Sequence, residues 1–253
     1  MRGFTLAAAA LLLGSASGGA QAKPADIAPA VAGSGRPADA VALDGSRKPA
    51  EVLRFLGLEQ GDRALDLFAG SGYYTEIMAR AVGPKGLALG WDPANFMNDK
   101  GRAAWAELKA RVPNTGLMVT PADAFALPTD AFDFVLLHMV YHDTYWQSEK
   151  YRFPRIDPAA FLRTVYAATK PGGTVGVIDH VAASGGETRD VVEKLHRIDP
   201  ARVRADFEAA GFVFDGESDV LRIPADDHSK NVFDPAIRGK TDRFVYRFRK
   251  PAR

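Results

Sequence analysis

The 253-residue chain contains no cysteine. This absence excludes disulfide frameworks, thiolate zinc sites, iron–sulfur clusters and cysteine nucleophiles. The chain also lacks an excess of either charge, since 32 Lys and Arg oppose 31 Asp and Glu. We therefore expect no nucleic acid partner and no anionic membrane partner. With 47% hydrophobic and 25% charged residues, the composition is that of a globular protein with one or two domains.

Long apolar runs are scarce, and the clearest one lies at the N-terminus. Phe4 to Leu13 (FTLAAAALLL) spans about ten residues, too few to cross a bilayer. Ala20-Gln21-Ala22 then fits the small-x-small cleavage rule. We predict a signal peptide over residues 1–22, cut after Ala22, and a periplasmic or secreted product without stable membrane insertion. Residues 23–45 are rich in Ala, Pro and Gly and predict a flexible linker before a domain at 46–253.

From Pro49 onwards, helical patterns alternate with short apolar runs. The predicted strands are Arg63–Phe68, Gly86–Trp91, Thr115–Thr120, Phe132–Leu137, Thr174–Asp179, Phe212–Gly216 and Phe244–Phe248. Helices are predicted from Pro49, over Gly72–Val82, Ala103–Val112, Ala159–Thr169 and Pro200–Ala210. Continuously apolar central strands are typical of a parallel sheet with helices on both faces. Residues 218–242 separate the last two strands, and two interpretations remain open for them, a solvated loop or a lid over the active site.

A glycine-rich turn follows the first predicted strand in the segment DLFAGSG, which ends with Gly70-Ser71-Gly72. Glycines here let the main chain approach a ligand at the carboxyl end of the sheet. Asp92 follows Gly72 at the spacing of an acid that binds ribose hydroxyls. Thr75 occupies the place of the third glycine in a dinucleotide fingerprint, and the Asp66 carboxylate would repel a pyrophosphate. Both residues favour the phosphate-free, cationic S-adenosylmethionine over NAD.

With these motifs, the chain resembles class I S-adenosylmethionine-dependent methyltransferases. The matching segments are DLFAGSG, GWD, PADAFALPTDAFDFVLLH and KPGGTVGVID. Further segments resemble a bacterial group of predicted methyltransferases with export signals: SRKPAEVLRFLGL, GSGYYTE, YHD, LHRIDPARVRADFEAAGF and RGKTDRFVYRF. The resemblance implies a Rossmann-like α/β fold with seven strands in the order 3-2-1-4-5-7-6 and an antiparallel seventh strand.

The resemblance also implies which residues bind the cofactor. Asp66, Ala69, Gly70 and Gly72 would hold the methionine end of S-adenosylmethionine, and Asp92 would hold its ribose. Asp123 and Ala124 would meet the adenine, and His138 would lie beneath the sulfonium.

Histidines and carboxylates also follow strands four and five, where acceptor chemistry is expected. His142 and Asp143 are the predicted catalytic residues, because a nearby base assists transfer to an O–H or N–H group. His138, His142 and His180 form an alternative metal-binding set. No glutamate lies between the first two as in a metalloprotease helix, so we assign no metal at this stage. The aromatic stretch around Trp146 indicates either an apolar acceptor pocket or ordinary packing.

The favoured hypothesis is therefore a methyltransferase that acts on an unidentified small molecule. A non-catalytic, nucleoside-binding relative in the periplasm is one alternative, because S-adenosylmethionine is made in the cytoplasm and an exported enzyme lacks an evident supply. An NAD-type oxidoreductase on a similar sheet is the other. The oligomeric state is not readable from the sequence.

Overall fold

A computed structural model describes residues 23–252 and places one seven-stranded sheet at the centre of the molecule, in the order β3-β2-β1-β4-β5-β7-β6. The strands are β1 Arg63–Leu67, β2 Leu87–Pro93, β3 Thr115–Thr120, β4 Phe132–His138, β5 Thr169–His180, β6 Val213–Ser218 and β7 Arg243–Arg249. The α-helices are α1 Ile27–Ala32, α2 Ala38–Val41, α3 Asp44–Arg47, α4 Pro49–Leu56, α5 Tyr73–Val82, α6 Asp99–Arg111, α7 Pro158–Ala168, α8 Thr188–Leu195 and α9 Pro200–Ala209. Short 3-10 helices cover Ala122–Ala124 and Tyr141–Tyr145.

Strands β1 to β5 are parallel, and β7 runs antiparallel to both β5 and β6. The strand order and the antiparallel seventh strand implied by the resemblance are confirmed. Asp66 pairs in register with Gly90 on β2 and with Leu136 on β4, so the carboxyl ends of three strands meet around it. In an open sheet of this kind, ligands bind at that edge, at the point between β1 and β4 where the strand order reverses.

Both faces of the sheet are covered, and alternation along each strand divides the core in two. On β1, Leu65 and Leu67 belong to the cluster that packs under α7 and α9. Ala64 belongs to the cluster formed with α4, α5 and α6. Burial on both faces explains why the central strands are largely apolar.

The segment predicted as a flexible linker, residues 23–45, differs from that expectation. It carries α1, α2 and the start of α3, and Ile27 and Ala30 are buried in the core. The buried Arg36 guanidinium lies 2.7 Å from the Asp44 carboxylate, which also accepts a 2.6 Å hydrogen bond from the Tyr73 hydroxyl. These contacts, which reach Tyr73 on α5, hold the segment in place. Its composition alone provides few large apolar side chains to bury.

After Pro49, three helical elements of the described residues are absent from the sequence-based prediction, namely α8 and the 3-10 helices at Ala122–Ala124 and Tyr141–Tyr145. The predicted signal peptide over residues 1–22 lies outside the described residues. Within residues 23–252, each helix is too short or too polar to span a bilayer.

Residues 219–242 contain no helix or strand, yet they are anchored to the body of the protein. The Arg197 side chain is completely buried and pairs with Asp226 at 2.8 Å. The Arg197 guanidinium also donates to the main-chain oxygen of Lys230. This buried ion pair fixes the long connection against the end of α8.

Replacing Asp226 by alanine will leave the Arg197 charge buried without its partner. We expect a loss of about 3–5 kcal/mol in the free energy of unfolding, measured by urea denaturation. The matched control is Asp227→Ala, since the neighbouring Asp227 is exposed and should leave the unfolding midpoint unchanged. Equal midpoints for the two variants would contradict a structural role for the buried pair.

Candidate functional site

A cavity of about 640 Å³ opens at the carboxyl ends of β1 and β4, and we call it the bend cavity. Its wall includes the glycine-rich turn, α2, the start of α5 and the segment after β4. Six lining residues carry the chemistry discussed below: Arg47, Asp66, Gly70, Tyr73, Tyr74 and His138. Ala69 and Gly72 line it as well. The predicted methionine-end residues therefore come together in one cavity.

The turn itself depends on left-handed backbone conformations. Phe68, Gly70 and Gly72 have φ of 54°, 57° and 82°. A Cβ on Gly70 would meet nothing within 4 Å, whereas one on Gly72 would lie 2.6 Å from Leu108 Cδ2. Gly72 thus permits close packing of α6, and Gly70 leaves bare main chain beside the cavity.

Asp66 is buried at the end of β1, where its carboxylate accepts a 2.7 Å hydrogen bond from the Thr75 hydroxyl. Burial raises the pKa of Asp66 to about 6, because a charged carboxylate loses its hydration there. Thr75, at the place of the third glycine in a dinucleotide fingerprint, positions this carboxylate. A cationic ligand group would compensate the buried charge.

Asp92 is buried at the end of β2, beneath the turn rather than on the wall of the bend cavity. Its Oδ1 accepts a 3.1 Å hydrogen bond from the Gly70 main-chain N–H. Its Oδ2 is shielded from solvent and has no hydrogen-bond partner among the described residues. Burial, opposed by the Gly70 bond and assisted by the nearby Asp66, raises the pKa of Asp92 to about 7. A buried acceptor without a donor is costly, and a ligand hydroxyl would satisfy it.

His138 ends β4 and lies against the Tyr74 ring, with 4.7 Å between the ring centroids. Its Nε2 is, like Asp92 Oδ2, shielded from solvent and without a hydrogen-bond partner among the described residues. Burial, together with the cationic Arg47 and Arg243, holds the pKa of His138 well below its ordinary value. The ring is therefore neutral at neutral pH.

Sequence analysis missed Arg47, which lies in the α3 segment just before Pro49. Its guanidinium lies 4.4 Å above the Tyr73 ring, and burial lowers its pKa. Arg47 brings a cation into the same cavity as the Asp66 carboxylate. A zwitterionic ligand end matches this pair of charges. Only the tertiary position of α3 reveals this role, because the local sequence shows no binding motif.

The predicted adenine contacts are placed elsewhere. Asp123 and Ala124 are exposed on a 3-10 helix, and Asp123 lines a separate cavity of about 250 Å³ beside Phe125 and Phe161. The structure therefore does not bring these two residues into the bend cavity.

A second cavity of about 520 Å³ lies on the other side of Met139, and we call it the aromatic cavity. Its apolar lining residues are Phe96, Met139, Trp146, Tyr151, Val232 and Phe233. Its polar lining residues are His142, Asp143, His180 and His196. Met139 also lines the bend cavity, so one side chain is common to both spaces. Val232 and Phe233 come from the long connection, which thus forms part of the wall.

His142 is buried, and Asp179 orients it. The His142 Nδ1 lies 2.7 Å from Asp179 Oδ1, and the His142 main-chain N–H donates to Asp179 Oδ2 at 2.9 Å. Burial works to lower the pKa of His142, but the carboxylates of Asp179 and Asp143 outweigh it and raise the pKa to about 9. The ring therefore favours its protonated form at neutral pH. Sequence analysis expected the groups after strands four and five to meet, and the structure shows Asp179 closer to the His142 ring than the predicted catalytic partner Asp143.

Of the other residues predicted at this edge of the sheet, some line the aromatic cavity and one packs in the core. His180 Nδ1 lies 2.8 Å from the Thr241 hydroxyl, and burial lowers the pKa of His180 to about 3, so this ring is neutral. Trp146 and Tyr151 line the aromatic cavity as the apolar-pocket interpretation requires. Tyr141 instead donates to Asp206 and packs on Phe207 in the core.

Comparisons with known proteins agree with this architecture. A structure described as an S-adenosylmethionine-dependent methyltransferase from Aquifex aeolicus aligns with a TM-score of 0.58 at 20% identity, covering 85% of this chain and 98% of that one. The chain has a class I methyltransferase fold. A Burkholderia thailandensis 1,6-didemethyltoxoflavin-N1-methyltransferase, solved with that compound and S-adenosylhomocysteine, aligns with a TM-score of 0.53 at 16% identity over 84% of this chain and 80% of its own.

Sequence comparisons cover a smaller part of this methyltransferase fold. The family model of protein-L-isoaspartate(D-aspartate) O-methyltransferase matches residues 45–122, which include the glycine-rich turn. A demethylmenaquinone methyltransferase of Geobacillus stearothermophilus is 27% identical over 124 residues, 49% of this chain and 47% of that protein. The chain spans about half the length of the curated relatives it matches. These matches support the class I resemblance, while the narrower group with export signals stays a prediction.

Asp92→Asn will test whether the unpaired carboxylate is maintained at the expense of stability. Because the folded-state pKa of Asp92 is raised to about 7, its stabilising contribution is present below about pH 4 and is lost as the pH rises through 7. At pH 8, without ligand, we expect the variant to be more stable than the wild type by a few kcal/mol at most. At pH 4 the difference should be small.

Thermal unfolding at both pH values measures this effect, and Asp123→Asn is the control because Asp123 is exposed. A difference between Asp92→Asn and the wild type that is the same at both pH values would contradict the assignment.

Proposed function

We propose that this protein transfers a methyl group from S-adenosylmethionine to a small, largely apolar acceptor. The observation that carries the proposal is the arrangement of two cavities, one at the glycine bend and one lined by aromatic rings, on either side of Met139. Methyl transfer needs donor and acceptor to be bound separately and to meet at one point.

The bend cavity fits the chemistry of the donor. Asp66 would hold the methionine ammonium and Arg47 its carboxylate, since both charges lie in this cavity. Gly70 leaves main chain open to the ligand. Asp92 Oδ2, which has no partner among the described residues, would accept a ribose hydroxyl. A phosphate-free nucleoside with a zwitterionic end matches these groups, whereas a pyrophosphate would face the buried Asp66 carboxylate on the cavity wall.

The aromatic cavity fits an acceptor with an apolar body. Three of its rings are substantially exposed around the cavity, namely Phe96 at 40%, Tyr151 at 51% and Phe233 at 57%. Exposed aromatic surface around a concave site is typical of a ligand-binding groove. The solved neighbour that holds 1,6-didemethyltoxoflavin beside S-adenosylhomocysteine supports a small-molecule acceptor.

In the reaction, the bound donor supplies an electrophilic methyl group on a sulfonium. The bond from the acceptor heteroatom to the methyl carbon forms as the sulfur–methyl bond breaks, and that electron pair stays on sulfur. Trp146 and Phe233 would hold the acceptor, and the neutral His138 avoids repulsion of the sulfonium. Asp143 Oδ1 would take a proton from the acceptor, with His142 held beside it at 3.4 Å.

Binding of S-adenosylhomocysteine, adenosine and NAD to the wild type and to Arg47→Ala will test the donor site by isothermal titration. We expect S-adenosylhomocysteine to bind tightly and NAD weakly. Loss of the guanidinium should weaken S-adenosylhomocysteine about 10- to 100-fold, because its carboxylate loses a charged partner. Adenosine has no carboxylate, so its affinity should not change.

Arg54→Ala is the control, because Arg54 is an exposed arginine on the adjacent α4. Preference for NAD over S-adenosylhomocysteine would overturn the proposed function. Equal weakening of S-adenosylhomocysteine and adenosine by Arg47→Ala would overturn only the assignment of Arg47.

A further inference from the structure

Three side chains in the aromatic cavity bring a metal-ligand set together. His142 and Asp143 belong to the 3-10 helix after β4, and His196 follows α8. One ligand atom from each lies within 4.8 Å of the other two. The Asp143 Oδ1 is 3.4 Å from His142 Nε2 and 3.8 Å from His196 Nδ1. Ligand atoms around a tetrahedral zinc ion with bonds of about 2.0 Å lie about 3.3 Å apart, so small side-chain adjustments would close the set.

The His142 ring already has the support that metal-bound histidines need. Its Nδ1 is hydrogen-bonded to Asp179 Oδ1, so its Nε2 is directed towards Asp143. Asp179 is fixed in turn by the main-chain N–H groups of His142 and His180. A carboxylate behind a ligating imidazole orients the ring and strengthens it as a ligand. The metal-binding set considered from the sequence was His138, His142 and His180. In the structure His138 lines the bend cavity, and His180 is hydrogen-bonded to Thr241.

Two aromatic rings hold His196 at the wall of the aromatic cavity. Its ring lies between Trp146 and Phe233, with centroid distances of 5.4 and 5.0 Å. The side chains of His142, Asp143 and His196 are 4%, 20% and 14% exposed, so the group is sheltered but reachable. Two carboxylates, Asp143 and Asp179, flank His142 and favour a cation there.

We propose that His142, Asp143 and His196 bind a divalent transition-metal ion, such as zinc, with an open coordination position facing the aromatic cavity. Three protein ligands with one free position is the pattern of catalytic rather than structural zinc. Resting on the proposed function, the ion would hold the acceptor's oxygen, nitrogen or sulfur atom next to Met139 and the methyl donor. It would also lower the pKa of a hydroxyl or thiol. With the ion bound, Asp143 would be a ligand instead of the base described above, and the acceptor's proton would pass to solvent.

Titration of the full-length, tag-free chain with Co²⁺ and Zn²⁺ tests this site. Visible d–d absorption of Co²⁺ reports the coordination, and equilibrium dialysis gives the stoichiometry. We expect one ion per chain, and an affinity lowered by more than about 100-fold in Asp143→Asn and His196→Asn. His228→Asn is the matched control, because His196 and His228 both have left-handed backbones with φ of 49° and 62°, which asparagine tolerates.

Thermal unfolding without metal identifies any variant that fails to fold, and S-adenosylhomocysteine is titrated into the same samples. Lost metal binding with unchanged S-adenosylhomocysteine affinity in folded variants supports the site. A wild type that binds S-adenosylhomocysteine but neither ion overturns the metal site alone. A wild type that binds the ion but no S-adenosylhomocysteine overturns the proposed function and leaves a metal site of other chemistry.

Discussion

The main chain of Gly70 is held from both sides, and the geometry of the site depends on this. Its N–H donates to Asp92 at the end of β2, and its carbonyl accepts a 2.8 Å hydrogen bond from the Trp105 indole on α6. Trp105 comes this close only because Gly90 has no side chain, since a Cβ there would lie 2.4 Å from the indole. Strand β2, helix α6 and the bend therefore form one unit.

This unit buries two carboxylates, whereas a core built for stability alone would exclude charged groups. Asp66 and Asp92 are both buried, and burial raises both of their pKa values. Natural proteins depart from local stability rules chiefly at functional sites, because binding groups have to be desolvated before the ligand arrives. The unpaired Asp92 oxygen and the His138 nitrogen fit that pattern. A ligand with hydrogen-bond donors would satisfy both atoms, and they would then stabilise the complex.

Much of the sheet was predictable because its strands are buried on both faces. Phe134–Leu137, for example, is a continuous apolar run, and the structure has β4 there. The order of residues 23–45 was not predictable, because it depends on Arg36 meeting Asp44 and on a tyrosine far along the chain. The local composition of that segment contains no trace of these contacts.

The candidate site was predictable in part for a similar reason. Asp66, Gly70 and Gly72 follow a strand within a few residues of one another, so a local motif shows them. Arg47 and His196 reach the two cavities from separate helices, and a linear pattern does not connect them to the motif. Asp123 shows the opposite case, since it matches a family position but lies in a different cavity.

Met139 separates the two cavities with an unbranched thioether, and its own backbone is left-handed with φ of 58°. Methionine has several rotatable bonds and no strong hydrogen-bonding group, so it changes rotamer without leaving a polar atom unsatisfied. Rotation of this one side chain would join or divide the two cavities without any movement of the sheet. Under the proposed function, donor and acceptor would then enter their cavities independently, and their contact would depend on the rotamer of Met139 rather than on closure of a domain.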